Sequence, residues 1–167
     1  MYEKVESYEV EKIEGIGYEV HGKFKDDIHN LHSRILFDIN SWTVAEAEVK
    51  ALVVPFALCH TGLDAINSLI GVSVGMGFSR VVNKQIMGSQ GCYHLGELVL
   101  NSVKAFLQAA SRDNPDWLGE EECQNRWLEW VNNYKNICIY FSQPCISPQD
   151  IQKSLGQNMK LNSEYYE

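Results

Sequence analysis

Tyr18-Glu19-Val20-His21-Gly22-Lys23-Phe24 alternates apolar or small residues with polar ones. In a strand, successive side chains point to opposite faces, so this period of two makes one face dry and one wet. The pattern recurs downstream. Leu31, Ser33, Ile35, Phe37 and Ile39 alternate with His32, Arg34 and Asp38, and Asn40-Ser41 supplies turn chemistry. Ala45, Ala47, Val49, Ala51 and Val53 alternate with Glu46, Glu48 and Lys50, until Pro55 closes the run. A weaker strand over 5–13 precedes them. The reading is a three- or four-stranded antiparallel meander with one solvated face.

From His60 the period changes. Leu63, Ile66, Asn67 and Ile70 fit one helical face, closed by Gly71. The glycine-rich stretch 71–77 reads as a connector, and a second helix is expected over 79–87. Gly88-Ser89-Gln90-Gly91 breaks the chain. Leu95, Leu98, Val99, Ser102, Val103, Phe106, Leu107 and Ala110 then recur at three and four, the clearest helix in the sequence. Arg112-Asp113-Asn114-Pro115 stops it. The fold class is therefore α+β: a meander followed by helices on one face, spanning residues 1–112. Residues 113–167 read as a helical C-terminal extension packed on the core or on a partner subunit. Its segment Trp117–Tyr134 is rich in aromatic residues and suits either a core cover or a homo-oligomer interface.

Charge and length exclude several classes of function. The chain has 167 residues, 22 acidic against 14 basic, and a formal net charge of −8. Binding a nucleic-acid duplex requires cations facing phosphates, so no nucleic-acid partner is expected. The longest apolar run, Ala51–Cys59, is too short to cross a bilayer, and no membrane association is expected. The first residues are charged, with no apolar stretch of a secretory signal. The cysteines number five, at irregular spacing. An odd, unpatterned set fits a reduced, cytoplasmic protein.

Three places carry candidate chemistry. Asp26-Asp27-x-His29 opens the second clear strand, Cys59-His60 lies where the third gives way to a helix, and Cys92-x-His94 starts the best helix. All three are ends of elements, and such ends converge along one edge of a sheet. A helix N-terminus presents unpaired N–H groups and a partial positive charge, which favour the thiolate form of Cys92. Thiolate, imidazole and carboxylate together suit zinc or iron. The candidate ligands are Cys59, Cys92, Asp27, His94, His29 and His60, with Cys92 and His94 as candidate catalytic groups. Against this, a cysteine following Val53, Val54, Phe56 and Leu58 is equally explained by core packing. Cys123, Cys138 and Cys145 lie in the extension and carry no functional expectation.

Two resemblances bear on these residues. Pro55-Phe56-x-x-Cys59, Leu69-Ile70-Gly71 and Gly91-Cys92-Tyr93-His94-Leu95-Gly96-Glu97-Leu98 resemble the bacterial domain-of-unknown-function family 2889, over about residues 15–110. The resemblance implies that Cys59, Cys92 and His94 belong together, and it supplies no activity. More distantly, the order of elements is similar to the iron–sulfur cluster scaffold proteins IscU and the N-terminal part of NifU. There Asp27-Ile28-His29-Asn30-Leu31, Cys59 and Cys92-Tyr93-His94-Leu95 would match the three ligand positions. The first cysteine of that pattern is absent, and His60 replaces a small residue, so the implied site is a mixed cysteine, histidine and carboxylate set.

The expected function is a metal-binding protein. An open coordination position would make it a small metalloenzyme acting on a small organic substrate. The alternatives are a metal-free enzyme with Cys92 as nucleophile, or a non-enzymatic binding or assembly protein.

Overall fold

A computed structural model describes residues 1–89 and 91–112, with scattered positions between 119 and 142. The chain divides into one unit over Met1–Asp113 and a second over Asn114–Glu167. In the second, Glu121, Glu122, Asn125, Leu128, Glu129 and Asn132 are helical. The tryptophans of the aromatic segment, together with Cys123, Cys138 and Cys145, lie outside the described residues.

The first unit begins with four strands: β1 (Val5–Ile13), β2 (Gly17–Lys25), β3 (Asn30–Asp38) and β4 (Thr43–Val53). They form one antiparallel sheet in the order β1-β2-β3-β4, the meander that the alternation predicts. Two bulges adjust its phase. Phe37 faces Val44 and Leu36 faces Glu46, so Ala45 is extra; Leu31 faces Ala51 and Asn30 faces Val53, so Leu52 is extra. A one-residue insertion moves the following side chains to the other face. Hence Val44 and Ala47 are both buried, where strict alternation would bury Ala45.

Helices follow: α1 (Cys59–Leu63), a 3-10 turn (Asp64–Leu69), α2 (Phe78–Gln85) and α3 (Tyr93–Arg112). The expected helix over 63–70 is mostly 3-10. Its buried residues Leu63, Ile66 and Leu69 recur at three, the 3-10 repeat, so Leu69 is interior and Ile70 is exposed. On α3 the residues Leu95, Leu98, Val99, Ser102 and Phe106 are fully buried, as the periodicity requires.

Helix α3 lies chiefly over β2. Gly22 permits the close approach: a Cβ there would stand 3.0 Å from Leu98 Cδ1 and 2.7 Å from Ser33 Oγ. Farther along α3, Phe106 stacks on Phe37 with centroids 4.5 Å apart and tilts against Tyr18 and Trp42 at 5.7 and 5.8 Å. The opposite face of the sheet is polar. Arg34 reaches Glu19 at 2.6 Å and Glu46 at 2.7 Å, His21 meets Glu19 at 2.8 Å, and Lys23 meets Glu9 at 2.9 Å. Within this unit the described helices thus pack on one face, and the site residues lie where β2, β3 and α3 reach the same end of the sheet. Among the described residues no helix is long and apolar enough to cross a membrane.

Candidate metal centre

The turn between β2 and β3 is built by Asp26. Its backbone N–H donates to the His29 carbonyl at 3.0 Å. Its Oδ1 accepts from the N–H groups of Ile28 at 3.0 Å and of His29 at 2.6 Å. Aspartate does this readily because its short side chain can stand in for a backbone acceptor. The carboxylate is thereby drawn inward, to 4% side-chain exposure, while Asp27 next to it is exposed. His29 then places Nδ1 at 3.0 Å from Oδ1 and 3.1 Å from Oδ2. Burial pushes the Asp26 carboxyl up, but the hydrogen bonds from Ile28 and His29 outweigh it and hold it below the usual range. An ionised Asp26 favours the His29 tautomer with the proton on Nδ1, leaving Nε2 as a free electron pair.

Helix α3 delivers the third residue. Gly91 sits against the Ile86 carbonyl, where any Cβ would collide, and the Cys92 N–H donates to that same carbonyl at 2.8 Å. The Gly96 N–H then bonds the Cys92 carbonyl at 3.1 Å and starts the helix. With Leu95 fully buried, the preceding residue is fixed at the sheet end. His94 packs on Phe24, centroids 5.1 Å apart, and on His29 at 4.1 Å with planes tilted 42°. Burial lowers the His94 pKa from its usual value, and the neighbouring His29 lowers it further; Asp26 and Glu97 act in the opposite sense. A neutral imidazole is the form that binds a metal.

Asp26, His29 and His94 together offer ligand atoms that all lie within 4.8 Å of one another. Around them is a charged rim. Tyr2 reaches Asp26 Oδ2 at 3.4 Å. Lys4 lies 5.1 Å over the Phe24 ring and bridges Glu6 at 2.8 Å and Glu97 at 3.3 Å. Imidazole nitrogens beside carboxylate oxygens form a donor set that suits zinc or iron.

The sequence candidates divide in space. His29 and His94, sixty-five positions apart, come together, and Asp26 joins them where the pattern pointed to Asp27. Cys59, on α1, and Cys92, before α3, are half-buried free thiols outside this cluster. Their segments touch nonetheless, since a Cβ on Gly62 would stand 2.9 Å from the Gly91 carbonyl oxygen. His60 is exposed and lines a shallow groove with Val49, Ala51, Thr61 and Asp64. The signal that separates Asp26 from Asp27 is the spacing Asp26-x-x-His29, which places the first aspartate at the head of the turn.

Comparison with known proteins adds a family. No curated protein matches the chain, and no solved structure matches it. The family described as proteins of unknown function, DUF2889, matches residues 10–108. That stretch runs from within β1 into α3 and takes in Asp26, His29, Cys59, Cys92 and His94. With more than half of its length matched, the chain belongs to the DUF2889 family of proteins of unknown function.

Proposed function

We propose that this protein binds a first-row transition metal, zinc or iron, at the cluster of Asp26, His29 and His94. The observation that carries the reading is the convergence of these three side chains within 4.8 Å from two separate elements. Two imidazoles supply nitrogen donors, and a buried carboxylate fixes one of them. A site with so few protein donors leaves coordination positions open, and an ion there would polarise a water or the oxygen of a small organic substrate. The chain's excess of acidic over basic residues, 22 to 14, disfavours a polyanion and favours a small substrate over a nucleic acid.

Elemental analysis of protein purified without tags or chelators tests this, followed by zinc titration of the wild type and variants. His29→Ala and His94→Ala are expected to weaken binding by roughly tenfold or more each. Cys59→Ser and Cys92→Ser are expected to leave it unchanged. Less than about a tenth of an equivalent of metal, with no uptake on titration, would sink the reading. Loss of metal only in the cysteine variants would move the site to Cys59 and Cys92.

A further inference from the structure

Building on that metal site, we propose that Glu97 is the carboxylate that ligates the ion, and that Asp26 acts as a positioning residue through His29. The two carboxylates are held very differently. Asp26 Oδ1 already accepts from the Ile28 N–H, the His29 N–H and His29 Nδ1, at 3.0, 2.6 and 3.0 Å. Its Oδ2 faces His29 Nδ1 at 3.1 Å and the Tyr2 hydroxyl at 3.4 Å. Turning Asp26 toward an ion would break the bonds that define the β2–β3 turn.

Glu97 has no such commitment. It stands three residues after His94 on α3, so both side chains share a face, although its oxygens lie outside the 4.8 Å set formed by Asp26, His29 and His94. Its oxygens make two long contacts, to the Lys4 ammonium at 3.3 Å and to the Tyr93 hydroxyl at 3.3 Å. Charge-assisted bonds of full strength are shorter, about 2.7–2.9 Å. Lys4 meets that standard with Glu6, at 2.8 Å, and so keeps a partner if Glu97 leaves. The Glu97 charge is also felt at the His94 ring. An arriving cation would replace Lys4 as the counter-charge of Glu97. The resulting donors are the two imidazoles of His29 and His94 with one carboxylate, and such a set with open positions suits ferrous iron or catalytic zinc. Asp26 is the outer partner that fixes the His29 tautomer.

Zinc affinity by competition with a chromophoric chelator, and the visible spectrum of the cobalt(II)-loaded protein, test the assignment on the full chain. Glu97→Gln is expected to shift the cobalt bands and to weaken zinc binding by more than roughly 100-fold, with the metal-free melting temperature unchanged. Asp26→Asn is expected to keep the wild-type bands and to weaken binding by roughly 10–100-fold. If Glu97→Gln fails to fold, Glu97→Asp carries the test, with shifted bands expected. A double-mutant cycle adds a second readout: Lys4→Met tightens zinc binding in the wild type more than in Glu97→Gln. Wild-type affinity and bands in Glu97→Gln, or band shifts confined to Asp26→Asn, would overturn the assignment while leaving the metal site standing. Absence of zinc and cobalt uptake by the wild type overturns the metal reading itself, and this inference with it.

Discussion

Protonation of His94 shapes the acid side of the stability profile. Its folded pKa is lowered from 6.5 by burial and by His29. Above 6.5 it is neutral in both the folded and unfolded chains and adds no pH dependence. As pH falls through 6.5 the unfolded chain takes the proton first, so stability declines until the folded value is passed. The melting temperature of the metal-free protein is therefore expected to fall from about pH 7 toward pH 5, and His94→Gln to flatten that slope. A slope unchanged in His94→Gln would reject the assignment. Asp26 acts in a lower window. Its carboxyl is held below 3.8, so the stability it contributes is present above that pH and lost as pH falls through the folded value. A different residue offers a gain. Ser33 is buried, and its hydroxyl has no hydrogen-bond partner among the described residues. Ser33→Ala removes an uncompensated polar group and is expected to raise stability by about 1 kcal/mol in urea titrations. A loss of stability would show that the hydroxyl has a bonding role.

Helix α3 joins the core to the site, and its two ends make separable predictions. At its start, Gly91 has no room for a Cβ against the Ile86 carbonyl. Gly91→Ala must displace the loop that launches Cys92 and His94. It is expected to cost about 3 kcal/mol or more, and to disturb metal binding as well as stability. An alanine variant with normal stability would mean that the loop yields freely. Farther along, Phe106 is fully buried in a ring cluster with Tyr18, Phe37 and Trp42, whereas Leu107 is 42% exposed. Phe106→Ala is expected to cost about 3–5 kcal/mol. Leu107→Ala is expected to stay within about 0.5 kcal/mol. Similar costs for the two would contradict the helix orientation. The short helical stretch over 59–69 shows where periodicity alone misleads. Leu63, Ile66, Asn67 and Ile70 read as an α-helical face, yet the buried residues are Leu63, Ile66 and Leu69, at the spacing of the tighter 3-10 turn.

For the molecule as a whole, the unit over Met1–Asp113 contains the entire sheet, α1 to α3 and the Asp26–His29–His94 cluster. A chain ending at residue 112 is expected to unfold in one cooperative transition, with the zinc affinity of the full chain, followed by circular dichroism and titration. An insoluble product would mean that the extension covers part of the core. A soluble monomer from a dimeric parent would place the subunit interface in the extension. The polar face of the sheet contributes little to this balance. Arg34 is shared among Glu19, Glu46 and Glu48 near solvent, where such pairs are worth at most about 1 kcal/mol.

The meander and α3 were readable in advance because their signals are local: alternation at two, recurrence at three and four, and turn residues between. The bulges at Ala45 and Leu52 were not, because the register of β4 depends on what β3 presents to it. The same division holds at the site. Asp26 and His29 are bound to meet, being three residues apart in one turn. That Asp26 and not Asp27 turns inward was settled by the hydrogen bonds of that turn. Bringing His94 onto His29 required the packing of α3 across β2, made possible by Gly22, together with the start of α3 at Gly91. The two cysteines and His60 carry suggestive residue chemistry, but the folded chain leaves them outside the cluster. Residue type and spacing named the histidines; long-range packing chose which groups lie together in the Asp26–His29–His94 cluster.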